Sequence, residues 1–566
     1  MTTFPNTSSG SLKRSYPGQL RPSQIITTFG PGAVVDFSDE SVMVAGIDTW
    51  TPGPMIHEPR LEKALDVDGF RMPRVEKRDR KGDVRCVRFP SYLVCPNCGR
   101  LLKRHKCGYC NNGATYPARL IILCPKGHAD DFPWYWWVHR QGRCTGNPAL
   151  RLTNQKRTAA LADLVVRCDT CNKNRSLAGA LGPKALENFT CTGKRPWLID
   201  APDEQCSQKI RSVLRGASNV YFSSLFSALS IPPWSERIHI VLNDHWNTLR
   251  SLSEEFQRMV IENLREQDFA SFNMEDVIRA INERLNYTAT KTSLRAEEFR
   301  AFRNPGVGIS TQDFQIRREP IHPAFQTTIA QIVLVSRLRE LSALRGFTRI
   351  DPPDSDDADQ ELIPISLMPQ KWLPAIENRG EGIFIELDLD KVQIWEKLGV
   401  VQERVGRINQ AYAVWREQRG LPLGQQYLPR TILVHTLAHL LIRQLSLECG
   451  YSSSSLRERI YSSPDGCGLL IYTASSDSDG SLGGLVQQGR KDRFFTTMRA
   501  LLEHAQWCSS DPLCMEHNPS LTGKLNGASC HACSLVAETS CELSNHMLDR
   551  ALIRDLADLR GTGYFT

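Results

Sequence analysis

The chain lacks the features that would place it in a membrane or on a secretory route. Residues 1–19 are polar and rich in Ser and Gly, with no apolar segment of signal type, and no apolar run approaches the ~20 residues that span a bilayer. A cytoplasmic protein without membrane function is therefore expected. Also missing are Gly-x4-Gly-Lys-Ser/Thr and Gly-x-Ser-x-Gly, so neither an ATPase phosphate loop nor a serine nucleophile elbow can be proposed from motif. Residues 238–244 faintly resemble the metal-carboxylate strand of an ATPase but have no adjoining acid, and read as a buried strand. The loop Asp479-Gly-Ser-Leu-Gly-Gly484 precedes a helical pattern, where a phosphate can bind, yet no Lys-Ser/Thr follows it.

What the chain does have is cysteine, 18 in 566 residues. Without an oxidising compartment, paired Cys-x2-Cys motifs favour zinc over disulfides. Cys95-Pro-Asn-Cys98 followed by Cys107-Gly-Tyr-Cys110 forms two knuckles whose turns aim backbone amides at the thiolates and can set four sulfurs tetrahedrally. A second set is Cys168-Asp-Thr-Cys171 with Cys191 and Cys206, expected to share one ion. Cys124, His128 and Cys144 supply another site, a substitute ligand, or simply buried thiols and a structural histidine. Near the C-terminus, Cys508, Cys514, Cys530-His-Ala-Cys533 and Cys541 read as a metal site tying together distant stretches of backbone.

The length exceeds what one core supports, so two to four domains of ~150 residues are expected. A net charge of +7 permits nucleic-acid contact without demonstrating it. Eight cations, Arg71, Arg74, Lys77, Arg78, Arg80, Lys81, Arg85 and Arg88, stand against Glu76, Asp79 and Asp83; they form either a solvated loop or a phosphate-contacting patch. The run Phe132-Pro-Trp-Tyr-Trp-Trp137 reads as a packing plug before a base-stacking surface. Gly216, Ala217 and Ser218 permit close backbone approach, and Arg215 beside them can hold a carboxylate or phosphate.

Three- and four-residue apolar spacing predicts helices over 246–264 and 274–285, and the same reading extends to 329–345, with Arg337, Arg339 and Arg345 near one face. The acidic, Pro-bearing stretch 351–359 marks a boundary. Beyond it, residues 382–387 and 469–473 read as strands and 391–398, 432–447 and 491–507 as helices, the second apolar all round and ended by Gly450. His435 and His439, four apart, have a metal-binding spacing, but without a His-Glu-x-x-His arrangement they read as core histidines. Glu386, Asp388, Asp390 and Lys391 follow a strand, where such groups can hold magnesium in a nuclease, though they are more often just solvated. The expected fold is multidomain α+β: a zinc-ribbon-like cysteine-rich unit over 1–235, a helical bridging region with an acidic loop over 236–361, and a mixed α/β zinc-binding domain over 362–566.

The line Asp511-Pro-Leu-Cys514, Cys530-His-Ala-Cys533, Glu538-Thr-Ser-Cys541 and Asn545-His-Met-Leu-Asp549-Arg550 resembles the C-terminal zinc-binding domain of MrfA-type DNA helicases. By that resemblance Cys514, Cys530, Cys533 and Cys541 are the preferred ligands, with Cys508 in reserve. The ATPase lobes of those helicases are missing. Arg21-Pro-Ser-Gln24, Thr28-Phe-Gly-Pro-Gly-Ala33, the 215–222 segment and Gly380-Glu-Gly-Ile-Phe384 make the whole chain similar to the DrmB family, the helicase-free zinc proteins of bacterial DISARM anti-phage systems. The resemblance implies a non-catalytic, zinc-binding subunit that joins a DrmA-like SNF2 helicase, as a heterodimer or in a larger complex, and helps engage DNA through backbone contacts. The alternatives are a metal-dependent nuclease and an independent zinc-containing DNA-binding regulator.

Overall fold

The computed structural model describes residues 18–38, 40–74, 83–110, 113–140, 142–154, 160–303, 309–353, 361–419, 421–473, 484–522 and 524–566. Two very long antiparallel strands form its spine. Nine strands make the main sheet: β1 (Pro52–Ile56), β2 (Gly69–Pro73), β3 (Phe222–Leu229), β4 (Ile309–Ser310), β5 (Phe314–Glu319), β6 (Ile329–Thr348), β7 (Trp372–Leu387), β8 (Leu456–Ser463) and β9 (Gly466–Thr473). With 20 residues, β6 reaches roughly 66 Å at ~3.3 Å per residue. Its first half pairs with β5 and its second half with β3, while β7 pairs with β9 at its C-terminal end and, in parallel, with β2 at its start.

This sheet carries strands from both sides of residues 235 and 361, where the sequence suggests divisions. It also corrects the helical reading of 329–345. Ile332, Val333, Leu334 and Val335 are all buried, because β6 is covered on both faces, and a strand buried on both faces shows no period-2 alternation to distinguish it from a helix. The β-branched residues decide in favour of strand. The opposite correction applies to 238–244, which lies in the helix Arg237–Leu249; Leu242, Trp246 and Leu249 are its buried stripe, at helical spacing. With the helices Glu254–Asn263 and Met274–Asn286 it encloses a small core of its own around Leu242, Ile261, Phe269 and Ile281.

At the C-terminal end, the helix Pro429–Cys449 is buried on nearly every side, packed over β8 and β9 and against the helix Lys491–His504. Gly450 ends it in the left-handed region (φ 71°), its N–H donating to the Ser446 carbonyl at 3.1 Å. At the N-terminal end, Arg349, just past β6, is fully buried and donates to the carbonyls of Gly32 (2.8 Å), Gly127 (2.8 Å) and Val220 (2.6 Å). Three separate stretches of the chain before β3 are thereby fastened to the spine. Between these ends the sheet holds a buried ionic lattice, in which Arg459 meets Glu298 at 2.7 and 2.8 Å and Glu340 at 3.3 Å, and Arg339 meets Glu58 at 3.3 Å.

The chain is thus a multidomain α+β protein with one cysteine-rich region before the spine and another after it. Among the described residues no helix is long and apolar enough to cross a membrane. Residues 75–82 of the basic stretch, 354–360 of the acidic stretch and 474–483 of the Gly-rich loop lie outside the described residues.

Candidate metal centres

Short hairpins create the first donor set. Between Leu93–Val94 and Leu101–Leu102 the chain turns so that the Gly99 N–H donates to the Cys95 carbonyl (2.9 Å), with Gly99 itself at φ 70°. That turn and its sequel at 107–110 bring Cys95, Cys98, Cys107 and Cys110 together, with Cys95 Sγ 3.2 Å from Cys110 Sγ and Cys98 Sγ 3.6 Å from Cys107 Sγ. Burial raises the Cys95 thiol, but the Cys98 amide, the Cys110 thiol and the Asn97 amide together outweigh it and bring it down to about 6, toward the thiolate a metal requires.

The next two sets are nested. The hairpin of Leu120–Leu123 and Ala129–Asp131 closes through Cys124 and His128, whose Nδ1 stands 3.3 Å from Cys124 Sγ and 3.5 Å from Cys191 Sγ; Cys206 completes the group. His128 Nε2 is held at 2.8 Å by Glu204, which orients the ring and leaves Nδ1 facing the thiols. Inside that span, the helix Trp134–His139 presents His139 Nε2 at 3.3 Å from Cys171 Sγ, with Nδ1 held at 2.9 Å by the Tyr135 carbonyl. Cys144 and Cys168, 3.7 Å apart at sulfur, join them. Burial raises Cys168, but the amides of Cys171 and Thr170 bring it down to about 6.

This corrects the expected grouping. Cys168 and Cys171 do not share a site with Cys191 and Cys206: the first pair stands with His139 and Cys144, the second with Cys124 and His128. Linear order misled because one ligand set is threaded inside the other. His139 was missed as a donor, hidden behind the aromatic run; its position five residues before Cys144 is the signal that was available. In that run Phe132, Trp134 and Trp137 are buried against Leu120, Ile122 and Val166.

The C-terminal set is Cys508, Cys514, Cys530 and Cys533, with Cys508 Sγ 3.5 Å from Cys530 Sγ and Cys514 Sγ 3.8 Å from Cys533 Sγ. Cys508 is therefore the fourth member in place of Cys541, which lies beside His435, His439 and Glu458. Asp511 explains why: its carboxylate accepts from the Cys508 N–H at 2.7 Å and pairs with the buried Arg550, folding the 508–514 arm back onto the knuckle. The neighbouring Cys514 thiol is the main reason Cys533 is held down at about 5.

Tetrahedral zinc, with bonds of ~2.0–2.3 Å, sets donor atoms ~3.3–3.8 Å apart, and the contacts within these four sets, 3.2–3.8 Å, lie in or just under that range. All-Cys and Cys3His donors are zinc's structural ligands, and four protein donors leave no open position for catalysis. The other singled-out motifs serve the fold. Arg215 holds the Asp36 carboxylate at 2.8 Å, and a Cβ on Gly32 (φ 88°) would meet the Phe347 ring at 2.4 Å. Glu386 faces Arg303 at 3.3 Å, and Asp388 accepts from the Lys391 N–H at 2.8 Å as a helix cap.

Fold and donor chemistry together define a zinc-binding α+β protein whose metal clusters lie at both ends of a long sheet. The comparisons agree. The family described as the MrfA Zn-binding domain matches residues 437–534, and a domain of unknown function (DUF8724) matches residues 21–222. The DISARM protein DrmB of Bacillus paralicheniformis is 34% identical over 568 residues, covering 94% of this chain and 99% of that protein. The chain belongs to the DrmB family.

Proposed function

We propose that the chain is the non-catalytic, zinc-structured subunit of a DISARM-type anti-phage complex, binding a DrmA-like SNF2 helicase and assisting its engagement of DNA. The observation that carries this reading is similarity along nearly the whole chain to a DISARM protein DrmB. It is supported by the missing phosphate loop, which fits a subunit that depends on a partner for ATP. The strand-end acids of the nuclease alternative support it too, since Glu386 and Asp388 are already committed to an ion pair and a helix cap.

For DNA, the favoured surface is the Cys107–Cys110 knuckle of the first cluster. Tyr109 at its tip is 61% exposed, with the Arg100 guanidinium 4.1 Å and that of Arg104 5.9 Å from its ring, and Lys103 and Lys106 are exposed beside it. A rigid loop bearing cations and an open aromatic face suits phosphates and unpaired bases. For the helicase, exposed Trp507 beside Cys508 and exposed Leu513 beside Cys514 offer apolar anchors on a metal-braced arm. Co-expression with the helicase subunit of a DISARM system, followed by affinity purification and DNA binding over a salt series, tests the reading. A stable complex that binds DNA more tightly than either part is expected, with Arg104→Ala plus Lys106→Ala lowering the salt slope by about 2. Failure to co-purify, or DNA cleavage by the chain alone with magnesium, would overturn it.

A further inference from the structure

We infer that His435, His439, Glu458 and Cys541 form a further, largely buried metal site that takes a divalent ion of the zinc class and pins the C-terminal segment to the helix-on-sheet core. His435 and His439 are one turn apart on Pro429–Cys449 and therefore share a face. That face lies on β8, which carries Glu458, and Cys541 arrives from the segment beyond the four-cysteine cluster. His435 Nε2 is 3.2 Å from Cys541 Sγ and 3.3 Å from Glu458 Oε1, and His439 Nε2 is 3.6 Å from Glu458 Oε2. These are again the edges of a tetrahedron around one small cation.

Ring orientation supplies the independent argument. His435 Nδ1 stands 3.3 Å from the Met547 carbonyl and His439 Nδ1 3.0 Å from the Ser534 carbonyl, so each ring's N–H is spent there and each Nε2 turns a lone pair inward. His439 Nε2 and Glu458 Oε2 are both buried without a hydrogen-bond partner. Two acceptors left facing each other in the interior are unfavourable unless a cation lies between them. The Leu543 and Asn545 amides point at Cys541 Sγ from 3.3 and 3.1 Å, the same support the knuckle thiols receive.

Charge accounts for the depth. One thiolate and one carboxylate neutralise a divalent ion, leaving a site of no net charge, whereas four thiolates leave a net charge of two minus. His435, His439 and Glu458 are almost wholly excluded from solvent and Cys541 is part-buried, whereas each four-cysteine set has two buried and two part-buried members. A neutral centre avoids the desolvation cost that keeps the charged ones near water. The matched zinc-binding domain stops at residue 534, before Cys541.

The test is metal analysis of the full chain. Five equivalents are expected, and Glu458→Gln or Cys541→Ser should each lose one equivalent while the others stay. Because a core variant can fail to fold, zinc-edge X-ray absorption on the unaltered protein gives a second readout: five ions average about 3.0 sulfurs each, and four ions without this site about 3.5. An average near 3.5 with four equivalents would overturn the assignment, as would full metal content in the soluble Glu458→Gln protein.

Discussion

Replacing Glu298 by Gln keeps the shape of the central sheet's ionic lattice and removes one charge from its middle. Glu298 is fully buried; Arg459 donates to both its oxygens at 2.7 and 2.8 Å, Arg60 stands at 3.5 Å, Arg295 at 3.6 Å, and the Leu229 N–H donates to it at 3.1 Å. Breaking one side of a buried pair costs about 3–5 kcal/mol. Arg459 retains Glu340 and Arg60 retains Glu297, which puts this substitution at the lower end. Proton linkage gives a second figure. Burial alone would raise the Glu298 carboxyl, but Arg459, Arg295 and Arg60 more than reverse it and hold it at about 2, against an ordinary 4.5. A shift of that size corresponds to about 3 kcal/mol. For a carboxylate held low, the stabilisation is complete above pH 4.5 and lost as pH falls toward 2. Native-state hydrogen exchange of β6 and β8 amides is the suitable assay, because a chain with several cores does not unfold in one step. We expect an opening free energy about 3 kcal/mol lower than wild type at pH 7, the gap narrowing below pH 4.5. A gap under about 1 kcal/mol at neutral pH, or one unchanged at pH 3, would refute the reasoning.

Gly127→Ala should destabilise the Cys124 hairpin by about 2 kcal/mol or more, because Gly127 sits at φ 90° and a Cβ would lie 2.6 Å from Ile363; thermal denaturation with zinc-release monitoring checks it. Glu204→Gln removes the carboxylate that orients His128 and should weaken zinc at that cluster about 10–100-fold, read by competition with a chromophoric chelator. Cys530→Ala or Cys533→Ala should lose one zinc equivalent and loosen the C-terminal unit. Unchanged zinc in either would count against the Cys508, Cys514, Cys530 and Cys533 grouping.

What the sequence revealed depended on how local each feature is. The Cys95 to Cys110 set closes within one pair of hairpins, so spacing alone gathers its members. The helix Pro429–Cys449 and strand Gly466–Thr473 carry their signals in composition and in Gly450. The β6 strand was misread because full burial erases the alternation that marks a strand, and its pairing partners lie as far away as β3. Glu458 gave no signal at all, since one acid in the strand sequence Arg-Glu-Arg looks like surface until Pro429–Cys449 is laid over it. The spacing of His435 and His439 reads as that of core histidines, because the cysteine that meets them comes from more than a hundred residues away.

Nesting also bears on how the cysteine-rich region assembles. The set with Cys124 and His128 must wait for Cys191 and Cys206, and the whole of the set with His139, Cys144, Cys168 and Cys171 lies between. Closing a loop costs entropy that grows with its length, so gathering the inner ligands first shortens the path the outer ligands must close. Strand pairing acts the same way: Leu150–Asn154 and Leu164–Cys168 form a local hairpin ending at an inner ligand, whereas Arg211–Leu214 reaches back to Leu120–Leu123 only after the outer ligands have passed. Arg349 then closes the assembly, since its guanidinium takes the Gly127 carbonyl from inside the outer metal turn. On this argument the inner ligands are expected to gather before the outer ones, whose cluster is the joint between the region and the long sheet; protection of Arg211–Leu214 amides ahead of Leu164–Cys168 in pulse-labelled refolding would refute it.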